Sequence, residues 1–388
     1  MSGVLNTAWF ENHYRTMKNR FHVPKGTYLL SHSVGCLPQK TQQVLENHYL
    51  TPWKNSGGEC WDSWLNEITE FKISLSMLLG SQPDAFCPQV NVSSALTKIV
   101  YSLEVNEKKN TFIHSASDFP STGFVISQLK QSSFHLLQLS ANKDLKNIGT
   151  WEKYLTEKTK VIFITHVNSN HSGMTPVAEI VKLAKQHNII TIIDIAQSVG
   201  IVPISLDEWD ADFVIGSSVK WLCGGPGAAF LWANPERISE WNPKDVGWFS
   251  HQNPFEFDSD NFEYAENANR FWGGTPSISP FISATVGINE ILNCGIEKIQ
   301  RHNQRLTQKI ITFALEMEII VETPLSAEHR GGTLSIRLPE QQKAESILRK
   351  NNIYFDIRDN NLFRFSPHLY NDDNDINRLC EVIKTEIL

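Results

Sequence analysis

The stretch TIIDIAQSVGIVPISLDEWDADFVIGSSVKWLCGGPG, residues 191 to 227, decides the fold. It holds two apolar, β-branched runs. The first closes on Asp194, and the second is followed at once by Ser217, Ser218, Val219 and Lys220. Open α/β sheets gather their chemistry at the carboxyl ends of the strands. Two such runs joined by a covering segment therefore set a carboxylate and an amine at the same sheet edge. Just upstream, a strand over Val161 to Thr165, the loop HVNSNHSGMTP and a helix over Val177 to His187 lead into the run that ends at Asp194. Strand, helix and strand at these lengths make a βαβ crossover, so the sheet is predicted to be largely parallel.

An acid and a lysine at one sheet edge are what pyridoxal phosphate requires. The lysine holds the cofactor as a Schiff base, and the acid keeps the ring nitrogen protonated so that the ring can accept the electrons of a substrate carbanion. Lys220 takes the first role and Asp194 the second. A buried carboxylate beside a cationic ring also stays ionised, because the opposite charge offsets the cost of desolvation. Either residue alone reads as a strand-end cap or a surface lysine. Together with DIAQSVG, SSVK and GGPG they resemble the core of the fold-type I pyridoxal-phosphate enzymes, specifically the class V aminotransferase family and its kynureninase-like group. The resemblance implies an α/β fold, with a large domain whose mainly parallel seven-stranded sheet lies between helices and a smaller C-terminal α+β domain. On that basis residues 1–30 form an N-terminal arm, 31–280 the cofactor-binding domain and 281–388 the small domain.

Composition fits such an enzyme. A chain of 388 residues, 41% hydrophobic and 20% charged, can bury a sizeable core. A formal net charge of −7 argues against nucleic acid or an anionic membrane as the main partner and leaves small metabolites. The six cysteines are scattered without CxxC pairs, no signal-like apolar core opens the chain, and no run approaches a membrane-spanning length. The cytoplasm is the expected compartment. Cys223 reads as a packed small residue, and the histidines show no zinc-type spacing, so no metal site is expected.

Moving outward, the strand at Thr27 to Leu30 runs into SHSVGCLP, similar to the kynureninase-like loop that lies over the active site. Trp53, Trp61 and Trp64 cluster around a Gly-Gly break and read as core or dimer contact. Asn91, Ser93 and Ser94 precede a helical periodicity, and a helix start offers N–H groups and hydroxyls to an anion. By resemblance, Ser93 and Ser94 hold the cofactor phosphate and Phe119 stacks on the pyridine ring. Thr122 stands where kynureninases carry an acid, yet can still hydrogen-bond phosphate. Asn168 or Asn170 is placed to reach the phenolic oxygen, and Asn170 is taken for that role. Gln197, three residues after Asp194, contacts the ring edge and ranks above His166 and His171. Val219 replaces the usual Tyr or His before the lysine and cannot bond phosphate, which leaves Ser217 or Ser218 for that contact.

Downstream, VGWF and RFWGGTPS are similar to kynureninase-group strings in which a Trp and a Thr help hold phosphate, the Thr from the neighbouring subunit. Here these are Trp248 and Thr275, so a homodimer with shared active sites is implied. LFRFSPHLYN carries Arg364, which matches the arginine that binds the substrate α-carboxylate. No cysteine lies between Asp356 and Arg364, where a desulfurase needs one. The nearest expected reaction is therefore hydrolytic Cβ–Cγ cleavage of a kynurenine-type amino acid. A class V aminotransferase or an amino-acid lyase with another substrate is the alternative. A non-catalytic binding protein on this fold would need Lys220 or Asp194 lost, and both are present.

Overall fold

The computed structural model describes residues 17–131, 133–358 and 360–388. The first sixteen residues of the expected arm lie outside the described residues. The central sheet has seven strands: β1 (Phe86–Gln89), β2 (Thr111–Ser115), β3 (His135–Leu139), β4 (Thr159–Thr165), β5 (Ile190–Asp194), β6 (Phe213–Ser217) and β7 (Ala229–Ala233). Their spatial order is β1-β7-β6-β5-β4-β2-β3. Every pairing is parallel except those of β7, which runs antiparallel to both β6 and β1. Strands buried on both faces read as continuous apolar runs rather than alternating ones. β5 is buried at all five positions, as the Ile-Thr-Ile-Ile run requires.

Two apolar cores sandwich this sheet. On one side Phe71, Leu75, Ile164, Ile193, Val214, Phe230 and Ile282 pack together, and on the other Leu96, Ile99, Phe112, Phe163, Phe213 and Phe271. Helix α1 (Trp61–Leu79) is followed by α2 (Val92–Ser102), α3 (Pro120–Ser127) and α4 (Val177–Gln186). The last buries Val177, Ile180, Val181 and Ala184, the i, i+3, i+4, i+7 stripe of an amphipathic helix. β5 and β6 end side by side, with Asp194 opposite Ile215, so Asp194 and the Lys220 loop reach the same sheet edge.

The boundary expected at residue 281 falls inside α5 (Ser279–Cys294). That helix packs on the large core, with the Phe281 ring tilted against Phe71 at 4.9 Å between centroids. A third core gathers Leu306 and Ile310 of α6 (Ile296–Glu316) with residues of β8 (Leu334–Arg337), α7 (Gln341–Lys350), β10 (Leu362–Phe365) and α8 (Asp373–Val382). Strand β9 (Asp356–Arg358) edges the antiparallel sheet β8-β10-β9. The N-terminal segment joins this unit, because Thr27 and Tyr28 pair in parallel with Ile353 and Tyr354.

Candidate active site

A cavity of about 250 Å³ opens at the carboxyl edge of the sheet. Asp194, Lys220, Phe119, Thr122, Gln197, Ser93 and Ser217 all line it. Asp194 closes β5 and is 7% exposed, and its Oδ1 accepts from Ala196 N at 2.7 Å. Burial raises its pKa, and the Lys220 amine pulls it back only in part. Burial lowers the pKa of Lys220, opposed by Asp194 and assisted by Arg364 and Arg358. Lys220 Nζ sits 5.7 Å from the centre of the Phe119 ring.

These features form a test for pyridoxal phosphate, and the residues fit it. A desolvated carboxylate on the cavity floor needs a cationic partner, which a protonated ring nitrogen supplies. Phe119 offers a face to a flat heterocycle, and the α2 N-terminus with Ser93 offers donors to a phosphate. The amine has its proton affinity lowered, as a lysine that must react while neutral requires.

Several expected contacts are not brought to this cavity. The Ser218 side chain is fully buried and its Oγ has no hydrogen-bond partner. It packs against Gly224, where an added Cβ would lie 2.8 Å from Ser218 Cβ, so Ser217 is the serine of that pair that faces the cavity. Ser94 is absent from the lining, and its N–H is spent on the Asn91 cap at 2.8 Å. Asn170 is exposed and lies outside the lining, and Ser169 lines the cavity instead. Asn168 is consumed by the loop itself, donating to Ser117 O and accepting from the Asn170 and His171 N–H groups. Trp248 lies in an aromatic group with Trp61, Phe249, Phe255 and Phe257 and does not line the cavity; Thr275, expected to act on the neighbouring subunit's site, is exposed and outside the cavity of its own chain. His166 is buried against Ser198 Oγ at 2.9 Å and Trp209, away from the chemistry. Cys223 is buried and its thiol pKa is pushed well up by desolvation, as packing implies.

Arg364 lies behind the cavity, 1% exposed, and its Nη1 donates to the carbonyl of the lining residue Ser169. Its other edge is already taken by Asp356, a partner the sequence reading missed. His32 was missed as well. Its carbonyl accepts from Gln197 Nε2 at 3.2 Å and its ring reaches Asp356. The third omission is Asp118, which accepts from Ser115 N and Thr165 Oγ1, both at 2.7 Å, and so braces the turn that presents Phe119. Burial pushes its carboxyl up to about 7. The only sequence signal for Asp118 is its place directly before Phe119. Among the described residues no cluster of three metal-ligating side chains is found, and no helix is long and apolar enough to cross a membrane.

A mainly parallel sheet with Asp194 and Lys220 at its carboxyl edge, under an aromatic face, defines a fold-type I pyridoxal-phosphate enzyme. The family model for class V aminotransferases matches residues 91–379, and the chain belongs to that family. Among its relatives is a Bacillus subtilis protein described as an uncharacterised aminotransferase, YcbU, 24% identical over 93% of this chain and 95% of that protein. A kynureninase of Shouchella clausii is 27% identical over 95% of this chain and 90% of its own length. Among solved structures, a cysteine desulfurase from Thermococcus onnurineus superposes with a TM-score of 0.87 at 18% identity, covering 96% of this chain and 98% of its own. C-DES, in a form with glycine covalently linked to its PLP cofactor, gives 0.86 at 17% identity, covering 95% and 99%. At that identity the likeness shows the fold alone. The protein is a pyridoxal-phosphate-dependent enzyme.

Proposed function

We propose that the protein hydrolyses the Cβ–Cγ bond of a kynurenine-type amino acid. The observation that carries this reading is a cavity uniting Lys220, Asp194 and Phe119 with no cysteine in its lining. Five of the six cysteines are buried, so the thiol chemistry of a desulfurase has no group to carry it. Kynureninases among the relatives add support at 24–27% identity.

The cofactor, when bound, supplies an electron sink for a carbanion. Asp194 would hold the proton on the ring nitrogen, Phe119 would lie against the ring face, and Ser93, Thr122 and Ser217 would receive the phosphate. Lys220 would move protons at the substrate carbons. Arg364 takes the α-carboxylate. Water adds across the bond, so that L-kynurenine and H2O give anthranilate and L-alanine.

The test is incubation of the holoprotein with L-kynurenine. Anthranilate and alanine in equal amounts support the reading, and their absence overturns it. The similarity to YcbU, together with Thr122 and Val219, favours transamination as the second reading. In that case an added 2-oxo acid is converted to its amino acid and no anthranilate forms.

A further inference from the structure

Asp356 and Arg364 face each other as direct partners across the antiparallel pair β9 and β10. Arg364 Nε donates to Asp356 Oδ1 at 2.6 Å, and Nη2 donates to Oδ2. Nη1 donates to Ser169 O. A guanidinium carries five N–H groups, so among the described residues one on Nη1 and one on Nη2 remain. Two more groups surround the same carboxylate. His32 Nε2 lies 3.2 Å from Oδ1, and Arg358 Nη2 lies 3.4 Å from Oδ2. Burial pushes the Asp356 carboxyl up, but the contacts from His32 and Arg364 outweigh it and hold the group well below the ordinary carboxylate range. His32 is itself held neutral at pH 7, since burial takes it down to about 4. The charge of Arg364 is therefore neutralised before any substrate arrives.

We infer that Asp356 is a specificity-determining residue, a built-in carboxylate that occupies the Nε and Nη2 edge of Arg364 and leaves the substrate's α-carboxylate the two remaining N–H groups. The inference rests on the reading of Arg364 as the substrate-carboxylate contact. A buried arginine without a partner carries an uncompensated charge that any small anion can offset, whereas one already paired offers only its remaining N–H groups. The substrate carboxylate then gains hydrogen bonds and orientation rather than net charge. A second acid near the α-carbon finds the Arg364 charge already spent on Asp356, so the cost of desolvating it goes largely uncompensated. Arg358, with its side chain 44% exposed, is screened by solvent and cannot fully offset that cost. The site thus selects α-amino acids whose side chains are uncharged near the α-carbon, and rejects aspartate-like ones.

The experiment titrates the holoprotein with L-alanine, L-alaninamide and L-aspartate, reading binding from the cofactor's visible absorbance. L-Alanine and L-alaninamide differ only in the carboxylate. In the wild type, aspartate should bind about tenfold or more weakly than alanine. In Asp356→Asn the aspartate penalty should vanish, and the preference for alanine over alaninamide should grow about tenfold. Formate should raise the unfolding temperature of that variant but not of the wild type. Unchanged ratios in Asp356→Asn overturn the inference. Arg364→Gln separates the two levels: if the preference for alanine over alaninamide survives it, the reading of Arg364 itself fails. Should Asp356→Asn not fold, the wild type decides alone. A large excess of formate should leave its alanine isotherm unchanged within about twofold, and strong competition shows that Arg364 is not neutralised.

Discussion

Asp194 is buried at the cavity edge and, among the described residues, accepts one N–H, so its charge calls for a cationic ring. Asp194→Asn should keep part of the cofactor and lose most turnover. About three pKa units of lost ring-nitrogen stabilisation correspond to roughly 4 kcal/mol, or a kcat lower by about a thousandfold. Turnover equal to wild type would show that the electron sink is organised otherwise. A second residue-scale effect concerns acid. His32, His166, His302 and His368 are each taken down by burial from 6.5 to about 4. Below pH 6.5 the unfolded chain takes up protons that the folded protein refuses until about pH 4. Stability is therefore full above 6.5 and falls through that window, by at most about 3 kcal/mol per histidine. The melting temperature of His166→Gln should depend less steeply on pH between 6.5 and 4. A profile parallel to wild type would mean His166 is not held neutral. Lys220, Asp194, Phe119 and Gln197 were legible because each stands at a fixed offset from a strand end. Asp356 and His32 were not, because their contact joins residues more than three hundred positions apart and no local pattern records it.

At the scale of elements, the βαβ order was readable from apolar runs and the helical stripe of α4, and the boundaries moved by only a residue or two. The reversal of β7 was hidden. A strand buried on both faces has the same sequence pattern in either direction, and only its short connection from β6 hints at the turn. The loop before the first long helix shows what a single glycine settles. Gly35 N donates to Val219 O at 2.9 Å, and a Cβ at Gly35 would lie 2.2 Å from Lys220 O. Both neighbours are backbone and cannot rotate away. Gly35→Ala must therefore lift this loop off the Lys220 segment, at a cost typical of overpacking, about 1–3 kcal/mol. Lower thermal stability together with faster loss of cofactor on dialysis is the expected result. If stability and cofactor retention both match wild type, the loop does not seat on Lys220 in solution.

At the scale of the whole molecule, two residues expected at the phosphate do not line the cavity of one chain. Trp248, expected to help hold the phosphate, lies outside it, and so does Thr275, expected to reach the phosphate of the neighbouring subunit. The face that carries Trp248 also presents Phe255 and Phe257, the latter 76% exposed, and Trp53 and Phe262 are exposed as well. Clusters of exposed aromatics mark contact surfaces. We propose that a second copy covers this face and that the turn at Gly273 to Pro276 reaches the phosphate of the opposite subunit. Each site is then complete only in the dimer, and an interface above roughly 2,000 Å² is expected for an obligate pair. Mixing a Lys220→Ala chain with a Thr275→Ala chain tests the arrangement. In the mixed dimer one site carries both lesions, while the other pairs an intact Lys220 with an intact Thr275 from its neighbour. About half the activity of a wild-type dimer should return per heterodimer, with cofactor retained at one site in two. No recovery beyond the separate mutants, once heterodimer formation is confirmed by mass, would place Thr275 in its own subunit's site or outside any site.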